Sequence, residues 1–167
     1  MLRSFCTFVF FCAVGSIAVA QNPQVTFYGG GNPWVTRVPG AKNAGLDGAL
    51  FLDTHRLAYF RFNRFLTLSM PVGTYHFFAS TKYDKPDGSP MLELQMVAGQ
   101  HYFVRVSESN GVADVVSPVR FDQGRIELVS CLVAQKEAGK MRPLDGKYVS
   151  DDVLPQAVDG WKLPTCP

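Results

Sequence analysis

The chain has 167 residues, with 16 Lys and Arg against 14 Asp and Glu, a formal net charge of +2, and 13% aromatic residues. This length predicts one ordinary domain, able to bury a core without a metal or a set of several disulfides. With charge near balance and no run of one sign, there is no basic patch to grip DNA, RNA or anionic lipid, so no nucleic-acid partner is expected.

Residues 1–20 read as a secretory signal. Arg3 supplies a positive start, residues 5–17 are apolar, and Ala18-Val19-Ala20 offers small side chains for cleavage before Gln21. The apolar stretch is about fifteen residues, short of the roughly twenty of a spanning helix, so no stable membrane span is expected after cleavage. Phe10 and Phe11 precede Cys12, where a lipoprotein site needs small residues, and lipid attachment is not expected. The predicted address is periplasmic or extracellular. Cys6 and Cys12 would leave with the signal, so Cys131 and Cys166 remain as the pair for a structural disulfide in an oxidising compartment. Their spacing does not suit a redox couple, which uses Cys-x-x-Cys.

Gln24-Val25-Thr26-Phe27-Tyr28 alternates as a strand and runs into Gly29-Gly30-Gly31-Asn32-Pro33, a breaker. Residues 34–48 read as a loop with one short edge strand at 34–38. Leu50 and Leu52 alternate, Asp53-Thr54-His55 turns the chain, and a new extended piece covers 57–62. Residues 65–70 form the next strand, with Leu66, Leu68 and Met70 on one face and Phe65, Thr67 and Ser69 on the other. Pro71-Val72-Gly73 then predicts a hairpin into residues 74–80, since proline fixes its φ and glycine permits a positive one.

After a polar loop at 82–90, Leu92, Leu94 and Met96 alternate with Glu93 and Gln95. Ala98-Gly99-Gln100 predicts a second hairpin into residues 101–107, with Tyr102, Val104 and Val106 on the buried face and Glu93 and Arg105 kept out of the core by register. A short strand is expected at 112–116 and another at 125–132. Residues 133–139 suffice for one or two helical turns. From Lys140 the composition shifts, with Pro143, Pro155, Pro164 and Pro167 marking a tail that Cys166 should pin across the body, Trp161 being its packing anchor. The organisation expected is therefore signal 1–20, sandwich domain 21–139 and Pro-rich tail 140–167. Short alternating strands without a long helical period predict a mainly β fold, an antiparallel β-sandwich or small barrel.

Ala49-Leu50-Phe51-Leu52-Asp53, Met70-Pro71-Val72-Gly73-Thr74-Tyr75-His76, and Val97 through Val106 with its Gly99-Gln100-His101-Tyr102 and Val104-Arg105-Val106 elements come in an order that resembles the bacterial family called domain of unknown function 2846. The resemblance covers roughly residues 25–139. It implies a prealbumin-like or immunoglobulin-like sandwich, often lipid-tethered to the bacterial envelope, with no established activity. This chain departs from the pattern in lacking a usable lipidation cysteine and in adding the cysteine-bearing tail.

Chemistry-bearing residues are few. His76 and His101 should both point outward and share one sheet surface, but with His55 they lack the spacing for a closed metal site, and neither metal nor cofactor is expected. No Gly-x-Ser-x-Gly is present, and Asp47, Asp53, Glu93 and Asp114 stand singly at turns or on exposed faces. Tyr59, Arg61, Phe78, Phe103 and Arg105, with Trp34, are instead the candidate binding surface, because aromatic and Arg side chains on a polar sheet face make a recognition surface. The competing expectation is that the tail packs across that face. The sequence thus predicts a noncatalytic exported accessory or binding module for an envelope protein or glycan. A carbohydrate-binding module using Tyr59 and Trp34 is the alternative, and a secreted hydrolase the second alternative.

Overall fold

The computed structural model describes residues 21–29, 48–60, 63–80, 91–108, 124–158, 163, 165 and 166. Among the described residues, nine strands form two stacked sheets: β1 (Gln24–Gly29), β2 (Gly48–Leu52), β3 (His55–Phe60), β4 (Arg64–Ser69), β5 (Gly73–Ser80), β6 (Met91–Met96), β7 (His101–Glu108), β8 (Gly124–Val129) and β9 (Arg142–Pro143). The first sheet has the order β8-β7-β1-β4-β9 and the second β3-β2-β5-β6. The fold is the mainly β sandwich with a disulfide-tethered tail that the alternating pattern predicts. Two pairs, β1 with β7 and β4 with β9, are parallel within otherwise antiparallel sheets.

The inner faces meet in one core. Val25 and Phe27 of β1, Leu66 and Leu68 of β4, and Val104 of β7 oppose Leu50, Phe77, Ala79, Leu94 and Met96 of the second sheet. Phe27 and Phe77 meet edge-on at 4.9 Å between ring centroids, tying the middle strands of the two sheets together. Tyr102 and Val106 pack against this cluster with Val104, as their alternation predicts.

Both predicted hairpins are corrected. β4 pairs with β1 and β9, whereas β5 pairs with β2 and β6, so Pro71-Val72-Gly73 carries the chain from one sheet to the other. Residues 97–100 do the same between β6 and β7, with Gly99 at φ 73° and Gln100 N–H donating to Val97 O at 3.1 Å. A tight turn and two alternating strands suit either connection. With the crossing, Leu94 of the second sheet and Val104 of the first both enter the core between the sheets. The two-residue hairpin is at Asp53-Thr54, where Leu52 pairs with His55 and Asp53 takes φ 51°.

The predicted strand at 125–132 stops at Val129. Ser130 caps helix α1 (Cys131–Ala138), accepting from Val133 N–H, and Lys136 stands in the last turn where the helix dipole favours a cation. The helix lies on the outer face of the five-stranded sheet, its Ala134 and Ala138 fully buried against Tyr28, Phe65 and Phe103. The chain then forms β9 beside β4, and Leu144 N–H donates to Phe65 O at 2.7 Å. It crosses to the other sheet, where Val149 bridges Ala58 and Ser150 N–H donates to Leu57 O. It returns to β4 through Ala157 opposite Leu68 and Val158 N–H on Thr67 O. Leu144, Val149 and Val153 enter the main core on the way. Cys166 finally joins Cys131 at the start of α1. The predicted signal at 1–20, the edge strand at 34–38, the loop at 82–90, the strand at 112–116 and Trp161 lie outside the described residues.

The disulfide closes a loop of sequence separation 35. Cys131→Ser/Cys166→Ser is expected to lower unfolding free energy by about 3 to 4 kcal/mol, the loop-closure value for that length, in urea titrations of oxidised and variant protein.

Candidate functional site

The two outer sheet faces differ in what covers them. On the five-stranded sheet, Tyr28, Thr26, Phe65, Phe103 and Arg105 form a face that α1 closes. Phe103 is 4% exposed and belongs to the cluster under the helix. Arg105 donates from Nε to Glu127 Oε1 at 2.6 Å and from Nη1 to Glu137 Oε1 at 2.6 Å, and its Nη2 also pairs with Glu127. Tyr28 hydroxyl donates to the other Glu137 oxygen at 2.7 Å. Phe103 and Arg105 are therefore corrected from recognition residues to supports for the helix. Glu137 reads as an ordinary exposed helix carboxylate in the sequence, so nothing there announces the clamp.

Burial first, then the hydrogen bond to Glu137, pushes the Tyr28 phenol far above its ordinary value, so it stays a donor at any physiological pH. Next to this clamp, Thr67 Oγ1, Thr26 Oγ1 and His101 Nε2 form a chain with separations of 2.7 and 2.8 Å across β4, β1 and β7. His101 also stacks on Phe103 with centroids 4.6 Å apart. Burial lowers the His101 pKa, keeping the ring neutral.

On the four-stranded sheet, the outer side chains are Phe51 of β2, Arg56 and Tyr59 of β3, His76 and Phe78 of β5, and Met91 and Glu93 of β6. His76 stands between two carboxylates, its Nδ1 3.3 Å from Asp53 Oδ1 and its Nε2 3.5 Å from Glu93 Oε2. His76 and His101 thus lie on opposite sides of the sandwich, which corrects their expected sharing of one surface. The two carboxylates approach opposite ring nitrogens, so they do not converge on one ion. Among the described residues no group of three or more His, Cys, Asp or Glu could hold a metal. His55 pairs separately with Asp152 at 2.7 Å.

Tyr59 and Phe78 of the predicted surface lie on this face and are half-buried. Arg61 and Trp34 lie outside the described residues, as do Asp47 and Asp114. Arg56, which sequence reasoning missed, places its guanidinium carbon 4.1 Å from the Tyr59 ring centroid. Residues three apart on a regular strand point to opposite faces, so no sequence signal could pair them. The register shift between Leu50 and Phe51 inserts an extra residue into β3, leaving Arg56 opposite Phe51 and Tyr59 opposite Ala49 on the same outer side.

No family model, curated protein or solved structure matches the chain at a significant level.

Two outcomes follow from the closed face. Tyr28→Phe should cost about 1 to 2 kcal/mol in denaturant unfolding, because a hydrogen bond to a carboxylate is lost with the ring's packing intact. For His101, the unfolded chain takes up a proton near pH ~6.5 while the folded ring resists it, so stability is held above that pH and falls on acidification through the lowered folded value. His101→Gln should flatten that decline in melts recorded from about pH 7.5 to 5.

Proposed function

We propose that the protein is a noncatalytic binding module, exported to a bacterial envelope or secreted, that engages a protein partner through the outer face of its four-stranded sheet. The observation carrying this reading is the contrast between the faces. One is sealed by the chain's own helix, and the other presents Arg56 stacked on Tyr59, His76 between Asp53 and Glu93, Phe78, and Met91 at 54% exposure. Arginine, aromatic and Met side chains on a flat sheet are the composition of protein-binding surfaces. The address rests on the signal-like residues 1–20, and the resemblance to the family of unknown function is part of the same reading.

Two details support binding over hydrolysis. Thr26, the hydroxyl beside His101, has 0% exposure and offers a substrate no approach. Both nitrogens of His76 already face carboxylates. A glycan partner is less well supported, since Arg56 occupies a face of the Tyr59 ring on which a sugar would stack.

The test is a pull-down from native envelopes with protein beginning at Gln21. Tyr59→Ala/His76→Ala should reduce the captured partner about tenfold or more, while Lys136→Ala, on the opposite sheet's helix, should leave it unchanged. Equal capture by all three proteins, or capture of glycan alone, would overturn the reading.

A further inference from the structure

The C-terminal chain closes one side of the sandwich, pairing with β4 and with β3. The other side is edged by β6 and β8. Which backbone groups of β6 face out of the sheet follows from the neighbouring strand. One step beyond the Leu52–Phe77 pair, Asp53 stands opposite His76 and its N–H donates to His76 O at 2.9 Å, so the backbone groups of His76 point to β2. Alternate residues of a strand bond to opposite sides, so Tyr75 and Phe77 bond to β6, through Leu94 and Leu92. The backbone groups of Met91, Glu93 and Gln95 therefore point off the edge, and among the described residues nothing pairs with them. Within Met91–Met96 there is no proline, bulge or lysine to block a further strand, and Glu93 is the one charge.

Side chains beside this edge are half-covered in the same way. Leu128 stands opposite Val104 and so points into the space between the sheets, yet it is 50% exposed, since among the described residues no strand follows β6. On the outer face of the sheet, Met91 at the start of β6 is 54% exposed and Val97 just past its end is 49% exposed.

We propose that β6 pairs with β6 of a second copy of this chain, antiparallel about a two-fold axis at Leu94, joining the two four-stranded sheets edge to edge. An unpaired strand edge calls for another strand, and the spacing along β6 makes this strand its own complement. With Leu94 opposite its copy, Glu93 faces Gln95 of the second chain. Both carry outward backbone groups, so they exchange both main-chain bonds. Met91 faces Val97 of the second chain, and the two exposed apolar side chains cover each other. Leu92 faces Met96 on the inner side, which continues the core across the join. Sliding the pairing by two residues loses this match, because it sets Glu93 against its own copy or against Val97. The inference goes beyond the reading of the outer face as a partner surface. Arg56 and Tyr59 lie on β3, at the far edge of the sheet, and take no part in the join, so either reading can fail without the other.

The experiment is sedimentation velocity on protein beginning at Gln21, which contains every described element, from about 1 μM to about 500 μM. A reversible monomer–dimer equilibrium is expected in this range. Gln95→Lys sets a cation against Glu93 on both sides of the axis and should tighten the dimer about fivefold, whereas Gln95→Glu should weaken it about fivefold. Gln95 is exposed, so these two variants test the pairing without testing the fold. Gln95→Pro removes an N–H that the β5 ladder does not use and should weaken the dimer about tenfold or more. Leu132→Glu, on α1, should change nothing. The pairing is refuted by a monomer at every concentration, by a dimer that Leu132→Glu dissolves, or by Gln95→Lys and Gln95→Glu acting in the same direction.

Discussion

The structure depends on the C-terminal chain strapping the open side of the sandwich. Edge strands β3 and β4 would otherwise present unpaired backbone groups along one side, with an oily interior behind them. The strap satisfies both: β9 and Ala157-Val158 pair with β4, and Val149-Ser150 pairs with β3. Leu144, Val149 and Val153 fill the gap between the sheets from the same segment. The Cys131–Cys166 bond joins the two ends of this excursion, so its unfolded alternatives are those of a closed loop.

The same excursion divides the molecule chemically. Before reaching the edge, the chain lays α1 over the five-stranded sheet, a helix of two turns with only alanines buried. Such a helix is unstable alone. Here it is held by Ser130 at its start, by the disulfide beside it, and by Glu137, which gathers Tyr28 and Arg105 from two neighbouring strands. Arg105 is balanced by two carboxylates, so a partly buried charge finds its partners locally. The aromatic and Arg residues of this sheet are thereby consumed by the fold, whereas Arg56, Tyr59, His76 and Phe78 lie on the outer face of the other sheet.

Much of this was legible in the chain and some was not. Alternation identified β1, β4, β5, β6 and β7 and, for the last three, the face each one buries, and the cysteine pair foretold a pinned tail. Tyr59 and Phe78 could be read as outward residues on the same basis. Arg56 could not, because a bulge moves it onto their side. Phe103 and Arg105 were also read as outward, which they are with respect to the main core, but a second layer covers them.

What the sequence by itself determined was therefore one-dimensional: where strands lie, which side chains of each share a face, and that the terminus is tied down. Tertiary structure decided which strands are neighbours. A period of two reports only the direction of the core from a given strand, and that direction is the same whether the next strand pairs beside it or faces it from the opposite sheet. Crossing at 71–73 and 97–100 therefore set His76 and His101 on opposite surfaces and brought the two connections to one end. Neither arrangement exists until the two sheets are stacked.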